Sequence, residues 1–278
     1  MLTIMIKLGE NSYGKNAVQL SKIIRHQDHH EFRQITVNVS LKGDFETAHT
    51  LGDNTKILPT DTQKNTVYAL AKDHFTSSIE AFALHLAEHF VHTQQQVSTA
   101  TIEIAEAAWS RMTPHAFISG GTEKRTAKVI YNAASTTIIS GISDLLILKT
   151  TDSGFEHFIK DPYTTLKETA DRIFATQCEA SWIYKGTLSD YTAMFDNIRA
   201  TLLGIFAGHN SLSVQQTLYA MGEAVLEAYP AVKEITLKMP NKHHILFNLE
   251  QFGMSNQNEV FIATDDPYGY IVGTVVRE

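Results

Sequence analysis

An α+β fold built on antiparallel sheet is the class this sequence predicts, and three observations carry it. Several segments alternate apolar and polar residues with a period of two, as strands with one buried face do. Between them lie pairs of segments whose apolar residues recur at three and four, the spacing of a helix face. The order of two strands, two helices and two strands then recurs in the second half. A doubly wound fold would instead alternate single strands and helices.

Taken in order, Leu2, Ile4 and Ile6 alternate with Thr3, Met5 and Lys7 and predict an opening strand. Ile35, Val37, Val39 and Leu41 alternate with Thr36, Asn38 and Ser40 and predict another, with HQDHHEF as a polar turn between the two. Val67, Leu70 and Ala71 then fall on one helical face. Ser77 followed by Glu80 has the spacing of a capping box and opens a second helix, with Ile79, Phe82, Ala83, Leu86 and Phe90 inward. Strands are expected at 97–108 and 127–134, and the glycines of SGGTEK (119–124) suggest a hairpin loop between them. No proline lies between Pro114 and Pro162, which suits uninterrupted pairing.

The second half predicts strands at 142–151 and 172–185. A helix over 189–206 places Tyr191, Met194, Phe195, Ile198, Leu202 and Ile205 on one face. Another runs from Ser213, a natural N-cap, to Tyr229 before Pro230. Strands at 234–240 and 245–250 close the chain. The repeat implies two units, 1–136 and 137–278. Long antiparallel strands with helices on one face leave exposed edges and one uncovered face. Edge-to-edge closure in a symmetric oligomer removes both, so a barrel with sites at subunit seams is expected.

Composition bounds the function. The chain has 278 residues, 43% apolar and 19% charged, enough for a packed core and too little charge for disorder. A net charge of −7 disfavours a broad basic face for nucleic acid. One cysteine, Cys178, excludes an internal disulfide and a thiolate zinc site. No window approaches the roughly 20 apolar residues of a membrane span. Lys7 and Glu10 interrupt any signal-peptide core, and the final VVRE is not a peroxisomal signal. A cytoplasmic, bacterial protein is the expectation. His26, Asp28, His29 and His30 form one cluster of metal-ligating types. Adjacent in a polar turn rather than spaced along one face, they are expected to be solvated, with no metal bound.

Four polar segments exceed what such a fold needs: YGK (13–15), PTDTQKNT (59–66), the stretch from LKTTDSGF (148–155) through YTTLKETADR (163–172), and SVQQT (213–217) with PNKHH (240–244). By themselves they have ordinary readings. Lys15 would be an exposed charge, Thr60 and Asp61 helix caps, Phe155 core, and Arg172 the partner of an acid such as Glu168. Together, and in this order, they resemble the urate oxidase (uricase) family, as does NEVFIATDDPYG (258–269). The resemblance covers nearly the whole chain.

The resemblance implies a tunnelling fold: two similar sheet-plus-helix-pair units per chain, assembled as a homotetramer with active sites at subunit interfaces. It implies oxidation of urate by molecular oxygen to 5-hydroxyisourate and hydrogen peroxide in purine degradation, without cofactor or metal. Lys15 and Thr60 would be the catalytic pair, joined through His243 into a proton relay, with Asp61 beside Thr60. Phe155 would stack on the purine. Arg172 and Gln215 would grip its edges, helped by the Val214 backbone, and Asn241 would hold the oxygen or water site. Lys15, Thr60 and Asp61 would come from one subunit and the others from its neighbour.

The residue types suit that task. Urate is a flat anion rich in carbonyl and N–H edges. A guanidinium meets two acceptors at once, a glutamine amide reads a mixed edge, and a free helix N-terminus favours an anion. A second deprotonation makes urate a far better electron donor. A lysine can take that proton only when neutral, a form that burial favours. Two other classes compete: a zinc-assisted purine or pterin enzyme of the same fold, and a purine-binding protein without turnover.

Overall fold

The computed structural model describes residues 6–278 and divides into two compact units. The first runs to Ser140 and takes in Gly186–Thr192. The second comprises Gly141–Lys185 and Ala193–Glu278.

In the first unit, β1 (Tyr13–Arg25) and β2 (His30–Gly43) form an antiparallel hairpin. A short α1 (Glu46–Thr50), then α2 (Thr60–His74) and α3 (Ile79–Thr93), precede β3 (Val97–Thr113) and β4 (Ala116–Asn132). The strand order is β1-β2-β3-β4. Ile35, Val37, Val39 and Leu41 of β2 are fully buried, while Thr36, Asn38 and Ser40 between them are not. The predicted alternation therefore holds. Phe82, Leu86 and Phe90 of α3 complete the core, and Phe75 stacks on Phe82 at 5.1 Å.

The division between the units falls within β5 (Ser135–Lys149). In the second unit follow β6 (Phe174–Tyr184), α4 (Tyr191–Gly208), α5 (Val214–Ala228), β7 (Val232–Lys238), β8 (His243–Leu246), β9 (Phe261–Thr264) and β10 (Val272–Val276). Here β6, β7 and β10 pair in that order, and β8 and β9 make a separate two-stranded ribbon. Trp182, Ile198, Leu202, Met221, Val225, Ile235 and Leu237 are buried between sheet and helices. No helix among the described residues is long and apolar enough to cross a membrane.

Several expectations are corrected. Leu2 and Ile4 lie outside the described residues, Ile6 and Lys7 are not in a strand, and the first strand starts at Tyr13. SGGTEK is no hairpin loop. The turn is at Pro114–His115, and residues 119–124 run inside β4. Ala107 pairs with Lys124 and Trp109 with Ser119, so residues 120–123 bulge opposite Ala108. Gly121 there has φ 98°, and a Cβ on Gly120 would sit 2.9 Å from that of Ala108. The glycines serve a bulge, not a turn. The cap of α3 is Ser78, which accepts from Ala81 N at 3.1 Å, and Glu80 is buried against Arg125 instead of closing a capping box. The edge strand of the second unit is β10, beyond the last strand expected from pattern.

The helix pair of the first unit carries a pH dependence. The His74 and His85 rings stack at 3.9 Å. Burial, helped by the neighbouring His74, holds His85 below its ordinary value of 6.5, with Glu88 opposing. Burial alone holds His89 low. The unfolded chain therefore binds more protons than the folded one below pH 6.5. Their contribution is full above that value and is lost as pH falls through the depressed folded values. We expect the denaturant midpoint to drop on acidification below that value, and His85→Gln to flatten the drop. An unaltered pH profile in the variant would refute it.

Candidate functional site

In the first unit, Tyr13 organises the predicted residues. Its hydroxyl accepts from Leu58 N at 2.9 Å, and its ring meets Phe45 edge-on at 4.7 Å. The segment leading into α2 is thereby tied to β1. Gly14 is obligatory here, because a Cβ would lie 1.8 Å from Val39 O. Just beyond it the β1–β2 register shifts between Lys15 and Val18, with Ala17 at φ 58° and its N–H on Asn38 Oδ1 at 2.8 Å. Lys15 is half-buried at the start of this irregularity.

Thr60 and Asp61 do not cap α2. The cap position is Pro59, which offers no side-chain acceptor, so the first-turn N–H groups are left for another acceptor. Asp61 instead binds Lys64 and Asn65. Lys64 first, and also the charge of Lys15, hold its carboxyl below the usual range. Lys15 and Asp61 thus lie in each other's field.

In the second unit, the segment between β5 and β6 folds back on itself. Phe155 N donates to Thr169 O at 2.8 Å, Thr169 N to Phe155 O at 3.1 Å, and Arg172 N to Ser153 O at 2.7 Å. Gly154 N donates to Ser211 O at 2.8 Å, which fixes this segment to the approach of α5. The Arg172 guanidinium lies 5.2 Å from the centre of the Phe155 ring. Asn241 bridges Thr176 of β6, and its N–H donates to Gly269 O at 2.9 Å. His243 begins β8.

Phe155, Arg172, Asn241 and His243 line one cleft of about 980 Å³, so four predicted residues converge. Glu259 and Phe261, from the β9 approach, line it too; they lie in NEVFIATDDPYG, which carries part of the resemblance but no site role. Their signal is faint, a single Phe in an exposed ribbon. Val214 and Gln215 do not line the cleft. Val214 is buried and Gln215 exposed at the start of α5, where Ser213 caps the helix by accepting from Gln216 N at 3.1 Å. Lys15, Thr60 and Asp61 belong to the first unit.

The decisive electrostatic feature is Arg172. The acid expected to pair with it, Glu168, is taken by Lys160 at 3.0 Å. Arg172 forms no ion pair among the described residues, its Nε is buried without a partner, and burial pulls its pKa down. A partly buried, unpaired guanidinium above an aromatic ring is a site for a flat anion. Cys178, by contrast, is buried and its thiol is pushed up to about 12, so it stays protonated.

Comparison with known proteins agrees with this chemistry. The family model described as Uricase matches residues 11–130 and 138–272. The chain belongs to the uricase family, the urate oxidases. A uricase from Arthrobacter globiformis is 44% identical over 275 residues, covering 98% of this chain and 91% of that protein. A uricase from Danio rerio is 37% identical over 285 residues, covering 98% and 96%. The crystal structure of the Arthrobacter globiformis uricase superposes with a TM-score of 0.96 over 99% of this chain and 96% of that one. That likeness places the uricase chain in the tunnelling α+β fold.

Proposed function

We propose that the chain oxidises urate with molecular oxygen, without a cofactor, and that its sites form at the interfaces of a homotetramer. Urate, O2 and water give 5-hydroxyisourate and hydrogen peroxide. Two electrons and two protons leave urate for O2, and water adds as hydroxyl at C5. The observation that carries this reading is the unpaired Arg172 over Phe155 in the cleft.

In the proposed site, Phe155 stacks on the purine while Arg172 holds its anionic edge. Gln215 and the Val214 N–H at the start of α5 meet the other edge, and that helix end favours an anion. Thr60, at the uncapped start of α2, directs its hydroxyl and free N–H groups to the same ligand, with Asp61 beside it. Lys15 removes the second proton of urate through Thr60. His243 of the neighbouring subunit completes the relay, and Asn241 holds O2, then the attacking water. Lys15, Thr60 and Asp61 come from one subunit and the remainder from the next. Each compact unit corresponds to one tunnelling-fold repeat. A cytoplasmic setting suits a reaction that draws on soluble urate.

The direct test adds urate aerobically, with chelator present, and follows its ultraviolet absorbance and peroxide together. Urate loss matched by peroxide supports the proposal. Chelator-sensitive turnover, or binding without turnover, refutes it.

Arg172→Gln isolates the anion contact. A hydrogen bond to a charged group contributes about 1.5–3 kcal/mol, so we expect kcat/KM to fall about 10- to 100-fold. Because Arg172 lacks an ionic partner, thermal stability should hold or rise. A collapse in melting temperature would mean the residue is structural.

A further inference from the structure

The histidine-rich turn between β1 and β2 is arranged differently from what its sequence suggests. His26 N donates to His29 O at 2.9 Å, and the ladder continues with Arg25 opposite His30 and Ile24 opposite Glu31. In such a hairpin, opposed residues share a face, and residues two apart on one strand share it too. His26, His29 and Glu31 therefore project from one face of the hairpin. His30 projects from the other, where its ring meets His115 at 4.6 Å. The spacing His-x-x-His-x-Glu looks like a crowded turn in sequence and becomes a set of three ligands once the register is known.

The geometry supports a cation. One ligand atom from each of His26, His29 and Glu31 lies within 4.8 Å of the others. Tetrahedral zinc at its usual bond lengths sets its ligand atoms about 3.4 Å apart. Small side-chain rotations on an exposed turn bridge that difference. His26 Nε2 and Glu31 Oε1 are already 2.8 Å apart, and the His26 and His29 rings stack at 4.5 Å. A supporting carboxylate is also in place. Asp28 Oδ1 accepts a hydrogen bond from His29 Nδ1–H at 2.7 Å. That bond makes Nε2 the lone-pair nitrogen of His29 and fixes the ring's orientation, the role carboxylates play behind metal-bound histidines.

We propose that His26, His29 and Glu31 bind one divalent transition-metal ion of the zinc, nickel or copper class, with Asp28 positioning His29 and water filling the open position. Imidazole and carboxylate donors select this class over calcium or magnesium. The site is on the turn end of β1, while Lys15 lies near the other end of that strand. Its effect is to staple the hairpin rather than to take part in the reaction.

The test uses the full chain, treated with chelator and desalted, titrated calorimetrically with ZnCl2 and NiCl2. One site per chain is expected. His29→Ala and Glu31→Gln should each weaken it at least about 10-fold, and Asp28→Asn about 10- to 100-fold. His115→Asn, beside the turn but off the face, should bind as the parent does. Metal should raise the melting temperature of the parent and not of His29→Ala, with the urate turnover number the same in both. Unchanged affinity in His29→Ala and His26→Ala, loss of the site in His243→Ala instead, or no binding at all would each overturn the proposal. The circular dichroism of each variant shows that it has folded.

Discussion

Lys15→Met is expected to lower kcat by about 10²- to 10⁴-fold, the range a positioned general base contributes, while KM moves only a few-fold. Methionine keeps the length of the side chain and its apolar stem, so the β1 irregularity between Lys15 and Val18 need not rearrange. What disappears is the amine proposed to take the proton of urate. The proposed substrate contacts, Arg172 over Phe155, are untouched, so binding should survive. A loss confined to kcat identifies a group that acts in the transition state. Steady-state urate oxidation, with melting temperature measured in parallel, checks it. A large rise in KM with kcat intact would make Lys15 a binding residue and remove the base from the mechanism. Thr60→Ala should resemble Lys15→Met in kind, since the proposed proton path runs through both.

Period and capping chemistry made most elements of both units legible, and their failures are instructive. The β2 alternation and the α5 cap at Ser213 were local signals, and both survive in the structure. The bulge in β4 was misread because glycine permits positive φ in a turn and in a bulge alike. Only the partner strand distinguishes them. The sequence showed a cluster of ligating types at 26–30 but not that His26, His29 and Glu31 share one face, since faces of a hairpin are defined by register. The candidate site residues came only from a family resemblance, and the structure brings Phe155, Arg172, Asn241 and His243 to one cleft. No period links Phe155 to Thr169 or Arg172 to Asn241. Their convergence comes from backbone bonds between segments far apart in sequence. Nor could the sequence show that Lys160 would claim Glu168 and leave Arg172 unpaired.

Glu80→Gln is the substitution expected to cost the most stability. Glu80 is fully buried near the start of α3. Its Oε2 meets Arg125 Nη2 at 2.7 Å, and its Oε1 accepts from the Ser140 hydroxyl. Arg125 also donates to Tyr191 O at 3.1 Å and to Thr192 Oγ1 at 3.3 Å. One carboxylate thus holds together α3, β4, β5 and the 186–192 segment of the first unit. Glutamine keeps the shape and removes the buried charge that faces the mostly buried Arg125 guanidinium. Breaking a buried pair from one side costs about 3–5 kcal/mol. At about 2–4 °C per kcal/mol for a chain of this size, the apparent melting temperature should fall on the order of 10 °C. The paired change Glu80→Leu with Arg125→Met should recover much of that loss, because it strands no charge. If the double variant is as unstable as Glu80→Gln, packing rather than charge explains the site. If Glu80→Gln melts with the parent, water or a local shift satisfies Arg125, and the carboxylate is not what binds these elements together.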